Sequence, residues 1–249
     1  MIRHIYSDLP SFKELAFRGG LNILLSEKSP QAGPRQTRNR AGKSSLVDTV
    51  HFLLGSTAGT DSIFRSAALK PYIFGLDFDL GGQPATVERT GKHPTTVAVE
   101  GSFPQELVSH RATHGRASIK NTDWKLVLGH LLFGLPHLDD EAEKGRPSFR
   151  SLFSYFARRD RDGGFLSAVQ HFKGQPPGDY QVNLSYLLGL DWTIPQDLQR
   201  IRDREKTLGE LRKSLKEGTF GVMIEKASSR LKAHTRDLLC TRFRPLHTS

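Results

Sequence analysis

The chain has 249 residues, enough for one large domain or two small ones, with 37% apolar residues and a net charge of +10. One cysteine, Cys240, excludes an internal disulfide framework, no apolar run is as long as a membrane span, and the opening "MIRHIYSDLPSF" lacks the apolar core of a secretion signal. The expectation is a soluble, cytoplasmic protein with no membrane contact and an anionic partner: nucleic acid, nucleotide or an acidic protein surface.

The alternation in "IRHIYS" predicts a strand near the N-terminus. "LNILL", continuously apolar after the turn "RGG", predicts a buried central strand. "SEKSPQAGPRQTRNR" is polar and rich in Gly, Pro and Arg, and reads as a long loop. "KSSLVDTVHFLLG" follows as a helix with Leu46, Val50, Leu53 and Leu54 on one face and Gly55 as its stop. From 71 to 100 the period changes to two. "YIFGLDFDL" and "TVERT" flank the hairpin signal "GGQP", and "TTVAVEG" gives a third strand.

Residues 122 to 135 read as a helix carrying Trp124, Val127, Leu128, Leu131 and Leu132, ended by Pro136. "RPSFRSLFSYFARR" reads as a helix or a helix–strand junction, and "YQVNLSYLLGLD" as another helix. After Pro195, Leu198, Ile201, Leu208, Leu211 and Leu215 recur at helical spacing among charged residues. That pattern fits the start of a coiled coil, or one surface helix packed on the domain. The last stretch is basic and without period.

The chemistry concentrates in "TRNRAGKS", residues 37 to 44. In the pattern G-x-x-x-x-G-K-[ST] a tight loop turns backbone N–H groups toward phosphate oxygens, and the following helix adds its positive end. The lysine reaches the β- and γ-phosphates and the hydroxyl ligates Mg²⁺. The nucleotide-binding candidates are therefore Thr37, Arg38, Asn39, Arg40, Ala41, Gly42, Lys43, Ser44 and Ser45, with Ser44 the magnesium ligand and ATP and Mg the cofactors. Two positions depart from the pattern's preferences. Thr37 replaces the first glycine, and Arg40 puts a bulky cation inside the loop. The competing reading is a Lys-Ser-Ser helix start in a basic loop that binds no nucleotide.

"FRGGLNILLSEKS", "TRNRAGKSSLVDTVHFLLG" and, less specifically, "SLFSYFARRDRDGGFLSA" resemble the N-terminal ATPase lobe of SMC-like proteins of the SbcC and RecN group. Bacterial proteins that carry the DUF2326 domain look most similar. The resemblance covers roughly residues 1 to 215 and is most specific over 19 to 55. It implies an α/β P-loop NTPase lobe with a mixed sheet, followed by the start of a coiled-coil helix. The expected division is 1–196 for the lobe, 197–218 for the start of the arm and 219–249 for a basic tail. The family further implies two heads sandwiching ATP, a second lobe or homodimer partner carrying the signature and Walker B motifs, and roles on DNA or in phage defence. Thr37 is a family-like feature, whereas Arg40 stands where the family usually has glycine.

Other constellations are weaker. "LLFGLPHLDDE", 131 to 141, brings Asp139, Asp140 and Glu141 after an apolar run, but Gly134 and Pro136 make it a helix-to-loop exit more than a Walker B strand. Asp77 and Asp79 read as a solvated strand face. His4, His51, His130 and His137 lack zinc spacing and read as ordinary core-edge or surface residues. Arg158, Arg159 and Arg161 read first as a solvated basic helix end, with contact to a γ-phosphate or to nucleic acid as the alternative. Arg236, Arg242 and Arg244 suit either a phosphate-backbone contact or an exposed, disordered end.

The loop generates a test of its own. Arg40→Gly is expected to tighten ATP binding, because glycine frees the backbone N–H groups to approach phosphate. Titration of both forms at low and high salt checks it. Weaker binding in the glycine form, with a gap that closes as salt rises, would make Arg40 a working phosphate contact.

Overall fold

Alternation along the first half of the chain builds a six-stranded sheet, antiparallel at every pairing, in the order β2-β1-β3-β4-β5-β6. The computed structural model describes residues 1–25, 43–103, 116–136 and 145–216. The strands are β1 (Ile2–Ser7), β2 (Leu15–Ala16), β3 (Ile73–Leu80), β4 (Gln83–Thr90), β5 (Thr96–Gly101) and β6 (Arg116–Lys120). The helices are α1 (Lys43–Leu53), α2 (Asn121–Phe133), α3 (Phe149–Phe156), α4 (Pro177–Leu187) and α5 (Thr193–Lys216). The chain divides into two units, Met1–Trp192 and Thr193–Ser249.

One row of side chains crosses the first unit's sheet. Ile5 faces Leu76, Leu76 faces Val87, Val87 faces Val99, and Val99 faces Ala117. All five are buried. Helices α1 and α2 cover this face, and α3 packs on α2 and α4 on α3. Phe52 of α1 stacks on Phe64 at 4.2 Å, and both meet the edge of Phe74. The β3–β4 turn is Gly81-Gly82, with φ of 59° and 82°, the left-handed pair that a two-residue hairpin needs.

The end of α1 is fixed by side chains from three other elements. Phe52 O and Ser56 O accept from Arg89 Nη1, Leu53 O from Trp124 Nε1, Leu54 O from Arg150 Nη1, and Gly55 O from Asn121 Nδ2. Arg89 also donates to Pro94 O and lies over the Phe52 ring. A helix leaves its last carbonyls without partners inside the helix, and two guanidiniums at this end also complement its negative dipole.

Several expectations need correction. The sheet is antiparallel and not mixed among the described residues. "LNILL" forms no strand: residues 21–25 are irregular, with Leu21 88% and Leu25 76% exposed. An apolar run needs covering on both faces, and no described element pairs with this one. Helix α2 stops at Gly134 and not through Pro136; Gly134 takes φ 65° and its N–H bonds back to His130 O at 3.0 Å. Strand β6 is five residues, "RASIK", too short and polar to carry a strand signal in the sequence. The second unit's helix α5 leaves Leu198, Ile201, Leu208, Leu211 and Leu215 exposed. Among the described residues no helix is long and apolar enough to cross a membrane.

Arg89→Met removes the donor to three carbonyls while keeping most of the volume. Leaving buried acceptors unpaired costs about 1–3 kcal/mol each, so a loss of about 3–5 kcal/mol is expected. Urea unfolding checks it; a loss below about 1 kcal/mol would show that the end of α1 is held without Arg89.

Candidate functional site

Lys43 opens α1, and no acidic residue lies in the first turn. The Ser44 and Ser45 side chains are exposed there. The positive end of this helix thus carries no carboxylate of its own. Thr37, Arg38, Asn39, Arg40, Ala41 and Gly42 lie outside the described residues, as do Asp139, Asp140, Glu141, His137, Arg236, Arg242 and Arg244. Of the nine candidate nucleotide-binding residues, the last three are described, as consecutive residues at the start of α1.

One turn further along, Asp48 receives two arginines. Its Oδ1 lies 3.3 Å from Arg159 Nε and 3.1 Å from Arg161 Nη2. Asp162 braces both from the other side, at 3.7 and 3.6 Å. Arg158 turns inward on its own loop and donates to Gly164 O, Ser167 O and Ala168 O. Arg158, Arg159 and Arg161 are therefore not a solvated helix end. They fold residues 157–168 and clasp that loop to α1. The sequence reading failed because the acid that draws them in lies more than a hundred positions upstream.

His51, on the next turn, is 2% exposed. Its Nε2 lies 2.6 Å from Ala157 O, and its Nδ1 lies 2.6 Å from Arg150 Nη2. A carbonyl only accepts and a guanidinium only donates, so the ring is the neutral Nε2–H tautomer. Burial first, then the Arg150 and Arg159 charges, push its pKa down to about 3. Such a ring is no proton shuttle near neutral pH; it is a linker between α1, α3 and the loop after α3.

Around these residues lie two clefts. One, of about 360 Å³, is lined by His51, Arg150, Ser154, Arg159, Asp162 and His171, among others. The other, of about 310 Å³, is polar and lies between Asp48, Asp61, Ser56, Ser62 and the two clasping arginines.

The chain matches no protein-family model, no curated protein and no solved structure.

The remaining candidates are structural. Asp79 pairs with Arg3 at 2.7 Å, and Asp77 accepts from Thr86 at 2.8 Å, on a partly exposed sheet face. His4 lies between Glu14 and Asp77, and His130 is exposed. Among the described residues no group of His, Cys, Asp and Glu is placed to hold a metal. Residues 131–133 close helix α2, as a helix-to-loop exit requires. Sequence reasoning missed Asp48, Arg89, Arg150 and His171. Arg89 did leave a signal: it occupies the inward position of "ATVER", after Ala85 and Val87, where an apolar residue is expected.

His51 makes stability depend on pH with a definite sign. The unfolded ring titrates near 6.5 and the folded one near 3, so stability is lost as pH falls below about 6.5 toward 3. Between pH 7 and pH 5 the wild type is expected to lose about 2 kcal/mol more than His51→Asn, by urea unfolding. Parallel losses in the two forms would mean that His51 takes up its proton without unfolding.

Proposed function

We propose that this chain is the ATP-binding N-terminal lobe of an SMC-like ATPase, with residues 37–42 and the first turn of α1 as the phosphate site. The observation that carries the reading is the start of α1. The helix begins at Lys43, the lysine of the loop pattern, with two exposed hydroxyls and no acid in its first turn. Helix N–H groups, the dipole and the lysine charge all favour phosphate there. The Ser44 hydroxyl is the group that takes Mg²⁺ in this arrangement.

The same reading calls for a partner. A P-loop sheet has parallel strands, and the described sheet has none. Residues 21–25, apolar and exposed, are the segment on which strands of a second lobe would pair. That lobe, from elsewhere or from a homodimer partner, would bring the Walker B carboxylate and the signature motif. Hydrolysis awaits it, because phosphoryl transfer needs metal, water and charge stabilisation positioned together. A role on DNA or in phage defence rests on the resemblance.

Calorimetry of Mg-ATP with wild type and Lys43→Ala tests the proposal. Removing a charge-assisted hydrogen bond is expected to weaken binding about tenfold or more, with the circular dichroism unchanged. Equal affinity, or none in either form, would leave a basic scaffold or nucleic-acid module with a silent loop.

A further inference from the structure

The cleft between the C-terminal half of α1, α3 and the loop after α3 is lined by neither Ser44 nor Ser45. His51, on its wall, lies eight residues beyond Lys43, about 12 Å along the helix at 1.5 Å per residue. Two observations there are unexplained by the fold. The first is polar: His171 Nε2, on the cleft lining, is buried without a hydrogen-bond partner. Buried orphan nitrogens are uncommon, and each calls for a missing partner. The second is charge. Among the described residues, Arg159 and Arg161 pair with Asp48 and Asp162, and Arg150 pairs with neither acid.

The surplus cation is Arg150. Two of its N–H groups go to Leu54 O and to His51 Nδ1, both neutral acceptors, and no carboxylate among the described residues pairs with it. His51 adds no charge and has both nitrogens occupied. Asp162 stands at the cleft's partly exposed side, turned to the two arginines. A half-buried guanidinium without an anion, beside a free imidazole nitrogen, favours a negatively charged acceptor over water. The space exceeds one water many times over.

We propose that this cleft binds a small oxyanion of the phosphate class, held by Arg150 and Arg159 and by His171 as its Nε2–H tautomer. The site does not depend on the nucleotide assignment, and either one stands if the other fails.

Arg150 also holds the end of α1, so its removal tests folding as much as binding. Two other variants avoid this: His171→Phe deletes the orphan donor, and Ser154→Phe fills the cleft while leaving every charge in place. The full chain is titrated with sodium phosphate against sodium chloride at matched ionic strength, by calorimetry and by the imidazole ¹⁵N signals of His171. Saturable binding with a Kd of about 1 mM or tighter is expected, with a shift at Nε2. Binding should fall about tenfold in His171→Phe, vanish in Ser154→Phe and persist in Lys43→Ala. Phenyl phosphate separates a free ion from an ester, and binding of either supports the site. Phosphate no more effective than chloride would overturn the proposal. So would binding that Lys43→Ala abolishes and Ser154→Phe spares, which would place the anion at the loop.

Discussion

The first unit hangs on the carbonyls that follow one helix. From Phe52 to Ser56, five successive oxygens accept from Arg89, Trp124, Arg150 and Asn121. The donors come from β4, α2 and α3, so the sheet and two helices all terminate on one point. Buried carbonyls must be paired, and here the pairing fixes tertiary structure as well. Because α1 is rigid along its length, holding its far end also sets where Lys43 and the first turn lie.

Two arginines at this point carry charge into the core. Burial lowers the pKa of both Arg89 and Arg150 to about 10, yet they stay protonated near neutrality. Arg89 offsets its desolvation with three carbonyls and the face of Phe52. Arg150 has fewer acceptors, and its surplus charge faces the cleft. One demand of the fold, donors for a helix end, thus leaves a cation at a surface opening.

Much of this was legible in the sequence where the signal is local. The alternation of β3 to β5, the Gly81-Gly82 turn and the face of α1 follow from neighbouring residues. What failed was long-range. "LNILL" has the composition of a core strand, but a strand is defined by neighbours, and no described segment supplies them. The arginines after α3 read as solvent-facing until Asp48 is placed opposite them. His51 reads in the sequence as an ordinary core-edge or surface residue, and its role appears only with Ala157 O and Arg150 on either side. For the loop itself, spacing identifies Lys43 and Ser44 as candidates, and the structure adds that they start a helix.

The separations in that collar set an order for assembly on the ribosome. The partners of α1 lie 37, 66, 71 and 96 positions away in the chain. As synthesis proceeds from the N-terminus, α1 emerges well before any of them. Its last carbonyls stay hydrated until β4, then α2, then α3 have followed. Contacts of such span are late and slow to close. The helix that carries the lysine is made before every one of these partners and, in this unit, is locked only after the last of them.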